Sequence, residues 1–228
     1  MSTTLALIII AILSYLVGSI PIAVIVSKKL YGYDIRDKGS GNMGSTNAFR
    51  VMGWKAGVLV QLLDIAKGVF AVVVIAGLLG SELTIPNNTS FQDITLIKIM
   101  GGVFAVLGHI FSAFVNFKGG KGVNTAAGML IGIAPIDAGV ALFFFLIAVG
   151  FSGYISLGSI LAAFSLPSSM IFRYNILHDS IPGYWTIVYF MVGLCVLVVY
   201  THRSNIKRLL EGTENRFPKL QIFKKSSG

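Results

Sequence analysis

Residues 123–135 read VNTAAGMLIGIAP, an apolar stretch of thirteen residues that leads into a second apolar run ending near 152. Thirteen residues fall short of the roughly 20 that a helix needs to cross a bilayer. One reading joins 123–152 into a single long helix bent at Pro135; the other makes two helices, near 123–135 and 137–152. Parity decides between them. The other apolar runs lie near 4–27, 54–80, 97–117, 154–172 and 184–201. Two spans separate the loop at 28–53 from the loop at 118–122, so these loops share a membrane face. Four more spans return the basic segment 202–228 to that face, whereas three would leave it opposite. Lys and Arg accumulate on the cytoplasmic side, which selects four. The expected fold is all-α: one integral-membrane domain over 1–228, with seven transmembrane helices, N-terminus out and C-terminus cytoplasmic. The short fourth helix must thin the bilayer locally or border a polar cavity.

Composition agrees with a membrane protein. The chain is 55% hydrophobic and 12% charged, with mean hydropathy +0.82, where soluble domains carry about 25% charged residues. The net charge of +9 does not point to nucleic acid, because 15 of the 18 Lys and Arg fall within 28–55, 118–121 and 203–225, beside apolar spans. Cys195 is the only cysteine, so an intrachain disulfide and a cysteine metal cluster are both excluded. The first run lacks a basic leader, and Lys28 and Lys29 follow it, as for a retained span and not a cleaved signal. Gly18 and Pro21 predict a kink there. Trp54, Tyr184 and Trp185 sit at span ends, where aromatic rings favour the interface. SELTIPNNTSFQDIT (81–95) reads as a short external loop, and FKKSSG (223–228) as a frayed basic tail.

Two stretches on the shared face suit an anion. DIRDKGSGNMGSTNAFR (34–50) reads as a loop in which Gly39, Gly41 and Gly44 let the backbone approach closely. Ser40, Asn42, Ser45, Thr46 and Asn47 supply hydrogen-bonding side chains, and Arg50 a planar donor fork fitted to phosphate. FKGGKG (117–122) offers the amides of Gly119, Gly120 and Gly122 with the charges of Lys118 and Lys121. It is not a nucleotide P-loop, which would need Gly at 115 and Ser or Thr at 122, where Val115 and Gly122 stand. A flexible turn and a basic interfacial turn are the plainer alternatives. His109 lies inside the run 97–117, where a polar residue faces the bundle interior.

A third stretch, HRSNIKRLLEGTENRF (202–217), follows the last span. On a continuing helix His202 and Asn205 share a face above Leu209, while Arg203 and Lys207 lie on another face and reach lipid headgroups. Gly212 is a helix stop. Asp64 and Lys67, three apart in the second span, read as an intramembrane ion pair with a structural role.

With these stretches in hand, the chain resembles the bacterial acyl-phosphate-dependent glycerol-3-phosphate acyltransferases over nearly its whole length. The family's first motif is matched by GSGNMGSTNAFR, with Lys38 directly preceding it where the family has its lysine one residue earlier. The second is matched by GHIFSAFVNFKGGKGVNT (108–125), except that Ser112 replaces the usual Pro and Asn124 a usual small residue. The third is matched by HRSNIKRLLEGTE (202–214).

The resemblance implies transfer of a fatty acyl group from acyl phosphate to the 1-hydroxyl of sn-glycerol 3-phosphate, the first step of phospholipid biosynthesis. Lysophosphatidic acid and phosphate are the products, and the cytoplasmic face of the bacterial inner membrane is the place. It implies no cofactor, metal or obligate protein partner, only the two substrates and membrane lipids. The His-x-x-x-x-Asp pattern of soluble-headed glycerolipid acyltransferases is absent, since Phe114, Gly183 and Lys207 stand five residues after the three histidines. The expected catalytic set is His202, Asn205, Ser40, Arg50 and Lys121. The expected substrate-binding set joins Lys38, Gly41, Asn42, Gly44, Thr46 and Asn47 of the first motif with His109, Lys118, Gly119, Gly120 and Gly122 of the second and Glu214 of the third. Arg50, Lys118 and Lys121 would grip phosphate and the reacting carbonyl, and the three stretches would meet in one pocket. Either His202 or the departing phosphate would take the hydroxyl proton. A transporter of phosphorylated anions would instead want a midplane site and internal repeats, and a lipid-binding scaffold leaves both glycine loops without a purpose.

Overall fold

The structure, a computed structural model, describes residues 2–85, 89–217 and 221. The tail stretch 223–228 lies outside the described residues, as do three positions of the loop 81–95. All regular structure among the described residues is helical. Among the described residues six helical stretches are long and apolar enough to cross a membrane, and Val123–Ile133 is a shorter apolar helix in the fourth position. The chain forms two compact units, Met1–Ile133 and Ala134–Gly228.

In the first unit, α1 (Thr3–Ser19) starts where the Ser2 hydroxyl accepts from the Leu5 N–H at 3.3 Å. Its buried residues Ala6, Ile10, Ser14 and Gly18 recur every fourth position, while Leu5, Ile8, Ile12 and Leu16 stay exposed, as lipid requires. The helix breaks at Ile20–Pro21, the predicted kink, and α2 (Ile22–Tyr31) continues. Two carbonyls at the break are satisfied from elsewhere: Ser112 Oγ donates to Ser19 O at 2.5 Å, and Lys67 Nζ to Ile20 O at 3.2 Å.

The loop 32–44 leads to α3 (Ser45–Met52), and α4 (Trp54–Phe70) continues through a π-helical turn (Ala71–Ala76) into α5 (Gly77–Gly80). The next helix, α6 (Asp93–Ile110), begins and ends earlier than the apolar run predicted. Its buried stripe Ile97, Gly101, Ala105 and His109 has the same four-residue spacing, and a side chain on Gly108 or Gly18 would strike the facing backbone of α1 or α6. Such small-residue contact is how membrane helices approach closely. The short α7 (Val123–Ile133) packs on α4 in the same way, through Gly128 against Ile65 and Gly68 against Thr125.

In the second unit, Pro135 occupies the first turn of α8 (Pro135–Ser152), so it starts a helix and does not bend one. Two helices therefore occupy 123–152. They are followed by α9 (Ile155–Asn175), α10 (Tyr184–Thr201) and α11 (Arg203–Leu210). Buried Asp137 accepts from Ser169 Oγ at 2.7 Å and pairs with Arg173 at 3.0 Å, fastening α8 to α9.

Candidate active site

The first glycine-rich stretch is only half a loop. Gly39 and Gly41 take positive φ of +61° and +70°, but Ser45, Thr46, Asn47 and Arg50 lie on α3. This corrects the reading of 34–50 as a loop throughout. Asn42 Oδ1 accepts from the Gly44 N–H at 2.8 Å just before the helix starts. Asn47 is buried within the turn: its Oδ1 accepts from Ser40 N–H at 2.9 Å, and its amide reaches the Lys38 and Asn42 carbonyls at 3.0 Å each. Its polar atoms are spent on shaping the loop, so its part is to present Ser40 and Asn42. Upstream, Asp34 accepts from Arg36 at 2.7 Å and pairs with Lys28 at 3.1 Å. Arg36 above all, then Lys28, holds the Asp34 carboxyl well below its usual range.

The second stretch folds back on the end of α6. Gly119 N–H donates to Ile110 O at 2.9 Å and Gly120 N–H to His109 O at 3.0 Å. These two amides cap orphan helix carbonyls, which corrects the expectation that they are free for an anion. Glycine is nonetheless required: a Cβ at 119 would strike the His109 carbonyl, and one at 120 the His109 ring.

Both stretches line one pocket. Ser40, Asn42, Gly44, Thr46, Asn47 and Arg50 come from the first. Lys121, Gly122, Val123 and Asn124 come from the second, and His109 and Asp64 from α6 and α4. The first residues of α3 and of α7 thus both border the cavity, where first-turn N–H groups lack helical partners and the dipole favours an anion. Asn124 Nδ2 donates to Ser45 Oγ at 2.9 Å between those two helix starts. Lys38, Gly41, Lys118, Gly119 and Gly120 stand outside the lining. Lys38 instead places its ammonium 4.6 Å from the Tyr33 ring centroid.

The third stretch belongs to the second unit. The helix does not continue through it; His202 sits at a break, ending α10 and preceding α11. Its Nδ1 lies 2.8 Å from the Val198 carbonyl, an acceptor only, so Nδ1 carries the hydrogen and Nε2 is bare in the neutral ring. Asn205 donates to Glu214 Oε1 at 2.8 Å, Ser156 donates to the same oxygen at 2.9 Å, and Arg208 reaches Oε2 at 2.7 Å. Asn205 first, with Arg208 and Ser156, keeps the Glu214 carboxyl below its usual range. Gly212 stops the helix at φ +70°.

The glycerol-3-phosphate acyltransferase family matches residues 8–212. The chain belongs to that family. Family members from Chlorobaculum tepidum and Chlorobium phaeobacteroides are each 46% identical to it, across 95% and 93% of this chain and 97% of either relative. The chain is also similar to crystal structures of PlsY (YgiH), an integral membrane glycerol 3-phosphate acyltransferase. Its glycerol 3-phosphate form gives TM-score 0.67 and 34% identity over 92% of this chain and 95% of that one. Its lysophosphatidic acid form gives 0.68 and 33% over 95% and 97%.

For a glycerol-3-phosphate acyltransferase, the residue that sequence reasoning undervalued is Asp64. The expected ion pair is present, with Lys67 at 2.9 Å, but Asp64 also borders the pocket and lies 3.5 Å from His109 Nδ1. The buried i, i+4 row Ala56, Val60, Asp64 and Gly68 was the available signal.

Proposed function

We propose that this chain transfers a fatty acyl group from acyl phosphate to the 1-hydroxyl of sn-glycerol 3-phosphate. The hydroxyl oxygen attacks the acyl carbonyl carbon, the bond from that carbon to the phosphate oxygen breaks, and inorganic phosphate leaves with lysophosphatidate as product. The hydroxyl proton goes to the departing phosphate or to His202. The observation that supports the reading is the meeting of Arg50, Lys121 and the starts of α3 and α7 around one cavity in a member of this family. Two phosphate-bearing substrates need such a concentration of donors. Arg50 and Lys121 hold phosphate and offset charge on the reacting carbonyl. Ser40, Asn42 and Thr46 orient the ligands. His202 and Asn205 take the glycerol 3-phosphate role that the family's third motif implies.

In this reading both compact units form one acyltransferase domain, since the family match runs across both. The pocket faces the cytoplasm of a bacterial inner membrane, on the side favoured by the basic loops. The donor needs no acyl-enzyme stage, because an acyl phosphate is already activated. Purified protein in detergent, given acyl phosphate and labelled glycerol 3-phosphate, tests it. Lysophosphatidate formed with no membrane barrier present supports the enzyme. Turnover with acyl-CoA or acyl carrier protein and none with acyl phosphate would overturn the donor.

A further inference from the structure

Three ionisable groups in the first unit are almost wholly withdrawn from solvent: Asp64 at 1%, His109 at 3% and Lys67 at 5% exposure. They form a chain of contacts between elements that are distant in sequence. Lys67 Nζ reaches the Ile20 carbonyl at the break of the first span, at 3.2 Å, and Asp64 Oδ1 at 2.9 Å. Asp64 Oδ1 lies 3.5 Å from His109 Nδ1, a close electrostatic contact without hydrogen-bonding geometry. Apart from the Lys67 ion pair, neither Asp64 oxygen has a partner of hydrogen-bonding geometry, and neither does His109 Nδ1. Buried polar atoms left this way cost stability, so the arrangement calls for an explanation beyond packing.

The explanation lies on the other side of His109. Its carbonyl accepts the Gly120 N–H, and its ring occupies the space that a Gly120 side chain would need. The residue after Gly120 is Lys121, which borders the pocket. A cation on a glycine-rich loop must be ordered at each binding event unless something orders it beforehand, and that ordering weakens binding.

We infer that Asp64 and His109 are positioning residues that act through Lys121: Asp64, anchored by Lys67, fixes the His109 ring, and the ring seats the second loop so that Lys121 faces the pocket in advance. The inference rests on the proposed reaction for its kinetic readout. It goes beyond that reaction by giving the buried acid a part in it.

The test is a double-mutant cycle. His109→Leu removes the ring's polar atoms. Asp64→Asn with Lys67→Met removes the anchor without leaving a buried charge unpaired. Each change should lower kcat/KM about tenfold or more in the wild-type background and leave it unchanged in the Lys121→Ala background. A purely structural defect would carry through both backgrounds, and factors that multiply overturn the inference. Should Lys121→Ala fall below detection, hydrogen exchange decides without turnover. Amides in a peptide covering 117–123 should exchange at least tenfold faster in both variants, with the rest of the first unit unchanged. Exchange that is unaltered, or altered only in His109→Leu, also overturns it, the latter by removing Asp64 from the chain. Wild-type protein that makes no lysophosphatidate, yet shows the faster exchange in both variants, would count against the reaction and not against the positioning.

Discussion

Asn124 Nδ2 donates to Ser45 Oγ at 2.9 Å, so the first turn of α7 is tied to the first residue of α3. The bond joins two segments 79 positions apart, and both of its residues border the pocket. A neutral hydrogen bond of this kind is worth about 1 kcal/mol net. Asn124→Ala should therefore lower kcat/KM by no more than about fivefold. Asn124→Asp should do more. It exchanges a donor for an acceptor and sets a negative charge in the cavity proposed to hold phosphate, a few kcal/mol at an intermediate effective dielectric. A loss of about thirtyfold or more, read as initial rates over both substrates, is expected. Equal effects of the two substitutions would show that charge at this point does not reach the ligand.

Arg50 is exposed toward the cavity from the second turn of α3. Its planar fork matches two phosphate oxygens at once, and a lysine head matches one. Arg50→Lys should cost about 2 kcal/mol, or roughly thirtyfold in kcat/KM, by analogy with hydrogen bonds to charged groups. The melting temperature should stay within a degree or two of wild type. A Lys variant with full activity would mean that charge alone, and not the fork, serves there.

The fold was legible where periodicity and charge carried it, and the site only in part. The parity of basic loops demanded two helices over 123–152, but the boundary was misplaced: Pro135, expected to end the first, begins the second, since proline is tolerated in a first turn. The helix Ser45–Met52 was hidden by Gly, Ser and Asn, whose local hydrogen bonding reads as turn. Its later residues Ala48 and Met52 are nonetheless buried at helical spacing. The end of α6 at Ile110 was invisible, since the residues to Phe117 remain mostly apolar while the backbone turns through positive φ at Asn116 and Phe117. Hydropathy measures what lipid accepts and not where a helix stops. The partnership of Asp64 with His109 depends on two buried rows meeting in space, which one-dimensional spacing does not contain.

The Asp64–Lys67 pair predicts a larger loss of stability for the single change than for the double. Both side chains are buried and 2.9 Å apart. Lys67→Met leaves a buried carboxylate uncompensated, a loss of about 3–5 kcal/mol. Asp64→Asn with Lys67→Met removes both charges, and much of that loss should return. Thermal unfolding in one detergent compares the three proteins. A double variant less stable than Lys67→Met would mean that the uncompensated Asp64 carboxylate is not the source of the loss.

Glu214 predicts an acid-sensitive second unit. Asn205, with Arg208 and Ser156, holds its folded carboxyl below the usual range. The unfolded chain takes up that proton near the ordinary value of about 4.3. Stabilisation by Glu214 is thus complete above that pH and is lost as the pH falls through the lower folded value. Wild type should melt well above Glu214→Gln at pH 7, and the gap should narrow below about pH 4. A gap that stays constant across this range would assign the effect to shape and not to charge.

His202 yields the prediction that bears on chemistry. Its Nδ1–H is engaged by the Val198 carbonyl at 2.8 Å, which fixes the ring and directs the bare Nε2 outward from that bond. A neutral carbonyl orients an imidazole but lends it little of the basicity that a carboxylate would supply. In the proposed reaction the acyl phosphate, by contrast, brings its own oxygens to the proton being lost. His202→Gln keeps a hydrogen-bonding group near the Nε2 position and removes the base. KM for glycerol 3-phosphate should rise about tenfold while kcat at saturation stays within about threefold, the pattern of lost uniform binding. A fall in kcat of about a hundredfold or more at saturating substrate, the scale of general base catalysis, would return the proton to His202.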